Sequence, residues 1–513
     1  MKKMRKPFIW NRLGNQCAIG RDGKCCKNCL MGPCIVWSSK NKGVCGASQD
    51  LIVARNLLRF VAGGTAAHCG HAYHLLNYLK QKYPKDYIKR KAPRDLYELW
   101  KKYNFLPQAN LEHFKEISEA LHTTTMGCNA DYEYILQWCI KLGILDGYYG
   151  LYLATELEDK EFGKPKIRIG ELNLGVIKPE KINIAIHGHE PMLAEAIAKE
   201  VKKKENEDIN LVGVCCTGAS ILARHGIPMA ANFLLQENVI ATGCIDVLVV
   251  DVQCIMPSLQ DLAECYHTKI VTTNELCKIP NAIHLPVKSK KDAEEAAKQI
   301  IKIARILSKY REHKEFLIKP EKKLAVVGFH EKNLPFTSRE IAKRIKNGKL
   351  KGVIAVIGCE NPRVKENWPK FYKELSKDYL FLTTGCIAFK LAQHGLLNGK
   401  NFFHLGSCIN NARIAEIFKQ VAKAARKKIH EMPFLVSCPM PITEKAVAIG
   451  MFFASLGVDV HFGYPFLISS DLNVAKYLEH LLKKDFKSKV FLETNPNKLK
   501  KRLEQEGLAT VYK

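Results

Sequence analysis

A chain of 513 residues, 47% hydrophobic and 25% charged, is long enough for about two to four domains with full cores and needs no disulfides for stability. No stretch reaches the roughly 18 unbroken apolar residues of a membrane span, and the basic N-terminus lacks a secretory apolar run. A cytoplasmic protein is therefore expected, one in which clustered cysteines are more often metal ligands than disulfides, and whose net charge of +28 is spread over every region without a zinc-finger histidine pair or an aromatic RNA-binding signature.

The first informative stretch is CCKNCLMGPC, Cys25 to Cys34, with four thiols in ten residues. The full spacing, Cys17-x7-Cys25-Cys26-x2-Cys29-x4-Cys34-x10-Cys45, contains one Cys-x2-Cys knuckle where a tandem zinc site needs two. Cys26, Cys29, Cys34 and Cys45 are enough for one iron–sulfur cubane. Cys17 and Cys25 remain, two ligands short of a second cluster. A two-fold dimer supplies the missing pair, because residues near the axis meet their own copies.

Residues 1–165 read as mostly helical. Ser48 is placed to cap a helix opening QDLIVARNLLR, with Asp50 in its first turn and Pro84 near its end. Gly63 and Gly64 inside that pattern permit close backbone contact with another element. From about residue 180 the texture changes to short β-branched runs alternating with helical patterns: INIAIHG, INLVGVCC, VLVVDVQC and KIVTTN. A Lys/Glu-rich helix around 290–322 reads as a connection. Then KLAVVGF, KGVIAVIGC, YLFLTTGC, FFHLGSC, FLVSC and VDVHFGY follow. Apolar strands separated by helices predict parallel sheets covered on both faces. The expected fold is α/β: a helical domain over 1–165, then two Rossmann-like domains with parallel sheets over 166–322 and 323–513.

Cys216, Cys254, Cys359, Cys386 and Cys408 each fall at the C-terminal end of a predicted strand, and His189 follows INIAIHG in the same way. Ligands in open α/β sheets bind beyond the carboxyl ends of the strands. Three donors from each Rossmann-like domain are thus placed to converge where the domains face each other. Five thiolates and one imidazole exceed the four ligands of tetrahedral zinc and suit a polynuclear iron–sulfur assembly, with another soft-site metal such as nickel. The other eight cysteines, at 69, 128, 139, 215, 244, 265, 277 and 438, read as core thiols.

These residues match a known family. GKCCKNCLMGPC, GVCGASQDLIVARNLLR, GTAAHCGHAYH, VGVCCTGASILARHGIP, VVDVQCIMPSL, IGCENPR, HLGSC and EKAVAIG, in this order, resemble the anaerobic nickel–iron carbon monoxide dehydrogenases of the monofunctional homodimeric type, over nearly the whole chain. The resemblance implies that Cys26, Cys29, Cys34 and Cys45 hold a [4Fe-4S] B-cluster, and that Cys17 and Cys25 share an Fe–S D-cluster with the partner subunit. It implies that His189, Cys216, Cys254, Cys359, Cys386 and Cys408 ligate a Ni–Fe–S C-cluster. In each of the pairs His187/His189 and Cys215/Cys216, the resemblance favours the later residue.

The reaction implied is CO plus water giving CO2, two protons and two electrons, run reversibly. His68 and Lys445 would line the open side of the cluster and stabilise developing negative charge. Ile449, four residues after Lys445 on a predicted helix, would shape the CO pocket. His68, His71 and His74 recur every three residues along one helix and would relay protons outward. Implied partners are a second copy of the chain, an acidic ferredoxin or similar carrier, and a nickel-insertion accessory protein, with neither nucleic acid nor a membrane span involved.

The chain is shorter than usual family members between His74 and His189 and between Cys386 and Cys408. It reads CINNAR, with Asn410, where the family commonly has an aspartate, and Asn77 stands where a further relay histidine is expected. Three rivals are weighed. A hybrid-cluster reductase acting on hydroxylamine or nitric oxide uses carboxylates at its cluster and lacks the extra Cys17 and the Cys25–Cys26 pair. A non-catalytic iron–sulfur carrier or sensor would have no use for His68 and Lys445. A basic nucleic-acid binder with structural zinc would hold zinc and no iron.

Overall fold

The computed structural model describes residues 9–38, 40–107, 112–312, 315–316, 320–506 and 508. The helix after the cysteine cluster runs over Gln49–Tyr78, with Ser48 at its N-cap position and Asp50 in its first turn. It is buried on most of its circumference, packed between the helices Tyr132–Leu145 and Glu444–Ser455. Gly64 explains how closely the latter approaches: a Cβ there would stand 2.6 Å from the Glu444 carbonyl oxygen and 2.9 Å from the Ala448 Cβ. The glycine expected to permit a close approach does so, and the element it admits carries Lys445.

The Tyr132–Leu145 helix starts on Asp131, whose side chain accepts from the Glu133 and Tyr134 N–H groups. It then loosens into a π-helical segment, Asp146–Tyr152, before resuming as Leu153–Phe162. Such insertions recur at functional sites. Here Gly150 lets the segment lie against the long helix, since a Cβ would fall 2.7 Å from that of His68.

A short hairpin, β1 (Cys25–Cys26) and β2 (Cys34–Ile35), pairs antiparallel and sets Cys26 opposite Cys34. The first large sheet contains β3 (Arg168–Leu172), β4 (Ile182–Gly188), β5 (Ile209–Val214), β6 (Met229–Ala231), β7 (Val247–Val250), β8 (Lys269–Thr272), β9 (Ile283–His284) and β10 (Lys323–Val327). Its order is β10-β3-β6-β5-β4-β7-β8-β9, parallel except at β10–β3. The second sheet contains β11 (Gly352–Val356), β12 (Tyr379–Thr383), β13 (Phe402–His404), β14 (Phe434–Cys438), β15 (Asp459–Phe462) and β16 (Val490–Leu492), all parallel in the order β13-β12-β11-β14-β15-β16.

Two expectations are corrected. KLAVVGF does not open the second sheet: as β10 it closes the edge of the first, antiparallel to β3, with exposed Leu324 alternating with buried Ala325. An edge strand with one solvated face needs only alternate apolar residues, so its sequence does not say which sheet it joins. The basic helix is not a bare connection either. Over Lys290–Leu307 it buries Ala293, Ala297, Ile300 and Ala304 with the helix Pro191–Glu200 on the face of the first sheet. Its charges occupy only the outer face. Among the described residues no helix is long and apolar enough to cross a membrane.

Candidate metal centre

Each donor expected at a strand end sits at one. His189 follows β4, Cys216 is the second residue of the helix Cys215–His225 after β5, and Cys254 lies just past β7. From the second sheet, Cys359 follows β11, Cys386 is the second residue of the helix Gly385–Gln393 after β12, and Cys408 opens the turn after β13. Two of the thiols thus occupy the first turn of a helix, near its unpaired backbone N–H groups. The loops that aim these groups inward are constrained. Cys215, Gln253 and Cys254 adopt positive φ of 59°, 68° and 58°, a cost for non-glycine residues that clusters at functional sites. At Gly385, also at positive φ, a Cβ would fall 2.8 Å from the Cys408 sulfur.

The donors converge. One atom each from His189, Cys216 and Cys408 lies within 4.8 Å of the others, and so does one each from His189, Cys215 and Cys254. The Cys215 and Cys386 sulfurs are 3.6 Å apart. Backbone N–H groups tie the set together: Cys408 donates to the Cys216 sulfur and Phe233 to that of Cys386, both at 3.4 Å. Cys359 lies 3.8 Å from the Thr443 hydroxyl, two residues before Lys445. The carboxyl group expected of a hybrid-cluster site belongs to neither three-residue group.

Cys215, read from sequence as a core thiol, is thus part of the centre. Of the other seven, Cys128 and Cys265 are exposed and Cys277 is half-buried, so the core reading holds only for Cys69, Cys139, Cys244 and Cys438. His187 belongs to neither three-residue group: its Nε2 meets Gln236 Oε1 at 2.8 Å, and burial lowers its pKa to about 4.

Charge organises the centre. Hydrogen bonds from Cys215 and Cys408 hold the Cys216 thiol well below its ordinary value, and Cys215 does the same for Cys254. Burial pushes Cys359 up to about 12. Burial opposes a charge on His189, yet the neighbouring Cys216 and Cys254 raise it to about 10. Lys445, only 4% exposed, places Nζ 2.9 Å from His189 Nε2, 2.9 Å from Gln253 Oε1 and 3.2 Å from the Cys254 sulfur. Burial disfavours its ammonium, but the surrounding thiolates hold it protonated. His189 Nδ1 is buried without a partner. Many soft sulfur donors, one imidazole with a free nitrogen and alternating thiol and thiolate charge fit a polynuclear soft-metal group.

His68 sits on the long helix with Nδ1 2.7 Å from Asp146 Oδ1, while its Nε2 is buried and unpartnered. Burial raises the Asp146 pKa, with His68 and then Lys445 opposing. His71 Nε2 meets Glu158 Oε1 at 3.0 Å, and His74 Nδ1 pairs with Glu190. Burial works against the Glu158 carboxylate, but Arg224 and His71 hold it below the usual range. Ile449 is buried one turn past Lys445.

Asp146, Glu158, Glu190 and Gln253 were missed in the sequence. For Asp146 a signal exists: it is the single charge in GILDGYYGLYLA and is flanked by glycine. For Gln253, which also donates to the Ala67 carbonyl at 3.0 Å, none does.

The N-terminal thiols are less gathered. Cys26 and Cys34 oppose each other in the hairpin, Val44 N–H donates to the Cys34 sulfur at 3.5 Å, and Cys17 caps the turn Ala18–Arg21. Among the described residues, no three of Cys17, Cys25, Cys26, Cys29, Cys34 and Cys45 share the close mutual distance of the central set.

A thiol-lined centre at the carboxyl ends of two parallel sheets, with a buried ammonium and an aspartate-held imidazole beside it, defines a soft-metal redox protein. The model of the Prismane/CO dehydrogenase family matches residues 24–86 and 79–497, and the chain belongs to that family. Carbon monoxide dehydrogenase 1 of Carboxydothermus hydrogenoformans is 33% identical, over 96% of this chain and 94% of that protein. Carbon monoxide dehydrogenase 1 of Methanosarcina mazei is 33% identical over 88% and 85%. Among solved structures, carbon monoxide dehydrogenase IV of C. hydrogenoformans superposes with a TM-score of 0.89 at 33% identity, covering 97% of this chain and 94% of that one. A nickel-free carbon monoxide dehydrogenase from Thermococcus sp. AM4, produced without the CooC maturase, gives 0.88 at 32%, with 97% and 94% covered.

Proposed function

We propose that the chain interconverts CO and water with CO2, two protons and two electrons at a nickel–iron–sulfur C-cluster held by His189, Cys216, Cys254, Cys359, Cys386 and Cys408. The observation that carries this reading is the meeting of His189, Cys216, Cys254, Cys386 and Cys408, with Cys215, between the two sheets and beside Lys445. When bound, the cluster supplies a site for carbon, an acidified water and an electron sink.

The chain's own groups do the rest. The Lys445 ammonium, held in a dry pocket, stabilises negative charge on a carboxylate-like species without having to reorganise. Asp146 fixes the His68 ring and tautomer through Nδ1, leaving Nε2 to hold or deliver a proton. His71 with Glu158 and His74 with Glu190 continue the stripe toward solvent, where the His74 side chain is 23% exposed. Burial opposes a charge on His74 and Glu190 favours it, so its pKa is raised and it retains a proton readily at the outer end. Ile449 narrows the space beside Lys445 and excludes water.

Cys26, Cys29, Cys34 and Cys45 are assigned to the [4Fe-4S] B-cluster, and Cys17 and Cys25 to a D-cluster shared across a homodimer. An apolar surface around these thiols supports the dimer: Leu30 is 104% exposed, Val44 69% and Trp37 64%. So much unpartnered apolar area beside a two-ligand remnant is what a two-fold interface covers. Electrons leave to an acidic ferredoxin or similar carrier, drawn by the basic surface, and an accessory protein inserts nickel. The test is anaerobic purification, iron and nickel counts, sizing in solution and CO-dependent dye reduction. About one nickel per chain with CO-driven reduction in a dimer supports the reading; zinc without iron, or full metal without CO turnover, overturns it.

A further inference from the structure

A second site lies at the far end of the helix Asn411–Ala425, whose first turn follows Cys408. Fifteen residues at about 1.5 Å each carry the chain roughly 20 Å from the metal centre. There the last turns of that helix face the short helices Tyr87–Lys91 and Arg94–Lys102 across a cleft of about 1000 Å³, the upper end of the range for ligand pockets. Seven cations and three carboxylates line it.

Several of those cations are already engaged. Lys91 pairs with Glu156, Lys419 with Glu416 at 2.6 Å and Lys428 with Asp95 at 4.0 Å, while Arg90 donates to the Lys85 carbonyl at 3.0 Å. Arg94, Lys423 and Lys427 have no ion pair or side-chain hydrogen bond among the described residues. Nor do Lys423 and Lys427 serve the helix end by their side chains. The backbone N–H groups of Arg426, at φ 56°, and of Lys427 cap the Lys423 and Ala422 carbonyls at 3.1 and 3.0 Å. All three are exposed at the cleft, whose cations outnumber its carboxylates seven to three even with Glu98 unpaired among them, so the cleft carries excess positive charge that attracts an anion.

The floor differs from the rim. Pro93, Leu96, Ala422, Ile429 and Leu456 form it, and Leu96, Ala422, Ile429 and Leu456 are buried. An inorganic ion uses only the rim, and an apolar ligand only the floor. A molecule with a chain of phosphates at one end and a flat, weakly polar ring at the other uses both. We propose that this cleft binds a nucleoside polyphosphate, with Arg94, Lys423 and Lys427 on the phosphates and the base lying on Pro93, Leu96 and Leu456. The site is independent of the metal chemistry, so neither reading stands or falls with the other.

The test is anaerobic calorimetry on the metal-loaded protein with inorganic triphosphate, adenosine triphosphate and adenosine. Triphosphate is expected to bind, adenosine triphosphate about tenfold more tightly because of the floor, and adenosine alone not measurably at millimolar concentration. The double variant Lys423→Glu/Lys427→Glu should weaken both phosphate ligands by at least about tenfold with unchanged iron and nickel counts. The double variant Lys298→Glu/Lys302→Glu, at two exposed lysines of the helix Lys290–Leu307 on the first sheet, should leave them unchanged. Absence of binding, equal loss in both double variants, or a duplex oligonucleotide displacing adenosine triphosphate and binding more tightly would each overturn the proposal.

Discussion

Replacing Lys445 by methionine keeps an unbranched apolar stem on the Glu444–Ser455 helix and removes only the ammonium. At 4% exposure, with two nitrogen or oxygen neighbours at 2.9 Å and a sulfur at 3.2 Å, that charge is not screened by solvent. A unit charge at about 4 Å and an effective dielectric of about 20 interacts by about 4 kcal/mol. Loss of one preorganised donor facing developing negative charge typically costs about 2.7–4 kcal/mol. Both figures place the loss in turnover at about a hundred- to a thousandfold. The assay is anaerobic CO-dependent viologen reduction, with iron and nickel counted on the same sample. Lys445→Arg serves as the comparison, keeping the charge while displacing its centre. If Lys445→Met turns over within about threefold of the parent at full metal content, the ammonium has no part in stabilising the reaction and the electrostatic reasoning fails.

Asp146→Asn preserves shape but turns a charge-assisted bond to His68 into a neutral one of about half the strength; turnover should fall about tenfold with metal content intact, and an unchanged rate would show the carboxylate's charge to be idle. Metal uptake should strengthen as pH rises, because the His189 proton, held up to about 10, and the Cys359 proton, held up to about 12, must leave before either residue can ligate. The metal-free fold should show the opposite trend from His189. Its folded pKa lies above the unfolded value of about 6.5, so that stabilisation is complete below about pH 6.5 and disappears as pH rises through about 10. Denaturant melts of chelator-treated protein and pH-stepped metal titrations check the two halves. Gly64→Ala should destabilise by about 1–3 kcal/mol, through the clash with the Glu444 backbone and Ala448, and lower activity by tilting the helix that carries Lys445. A parent-like melting curve would refute the close approach.

The central donors were legible because two signals met: β-branched apolar runs marked the strands, and a cysteine or histidine followed six of them. Strand ends are positions fixed by topology, so residue type and place together pointed to one crevice. What was illegible depends on pairing across the fold. Asp146, Glu158 and Glu190 reach the histidine stripe from 78–116 residues beyond the histidine each one bonds, and nothing local marks them as partners. Cys215 reads as a core thiol because the resemblance favours the later of the two adjacent cysteines, and the positive φ found at that residue has no mark in the sequence. The sheet membership of β10 was lost for a similar reason: an edge strand's composition describes its exposure and not its neighbour.

β10 also touches both halves of the fold. Its residues pair with β3 while Val326 N–H donates to the Leu397 carbonyl, and Phe329 N–H, just beyond, donates to that of His404 at the end of β13. The socket's two walls are therefore fastened by main-chain bonds that involve no metal. The spacing of the two walls rests in part on backbone hydrogen bonds and not on the donor side chains alone.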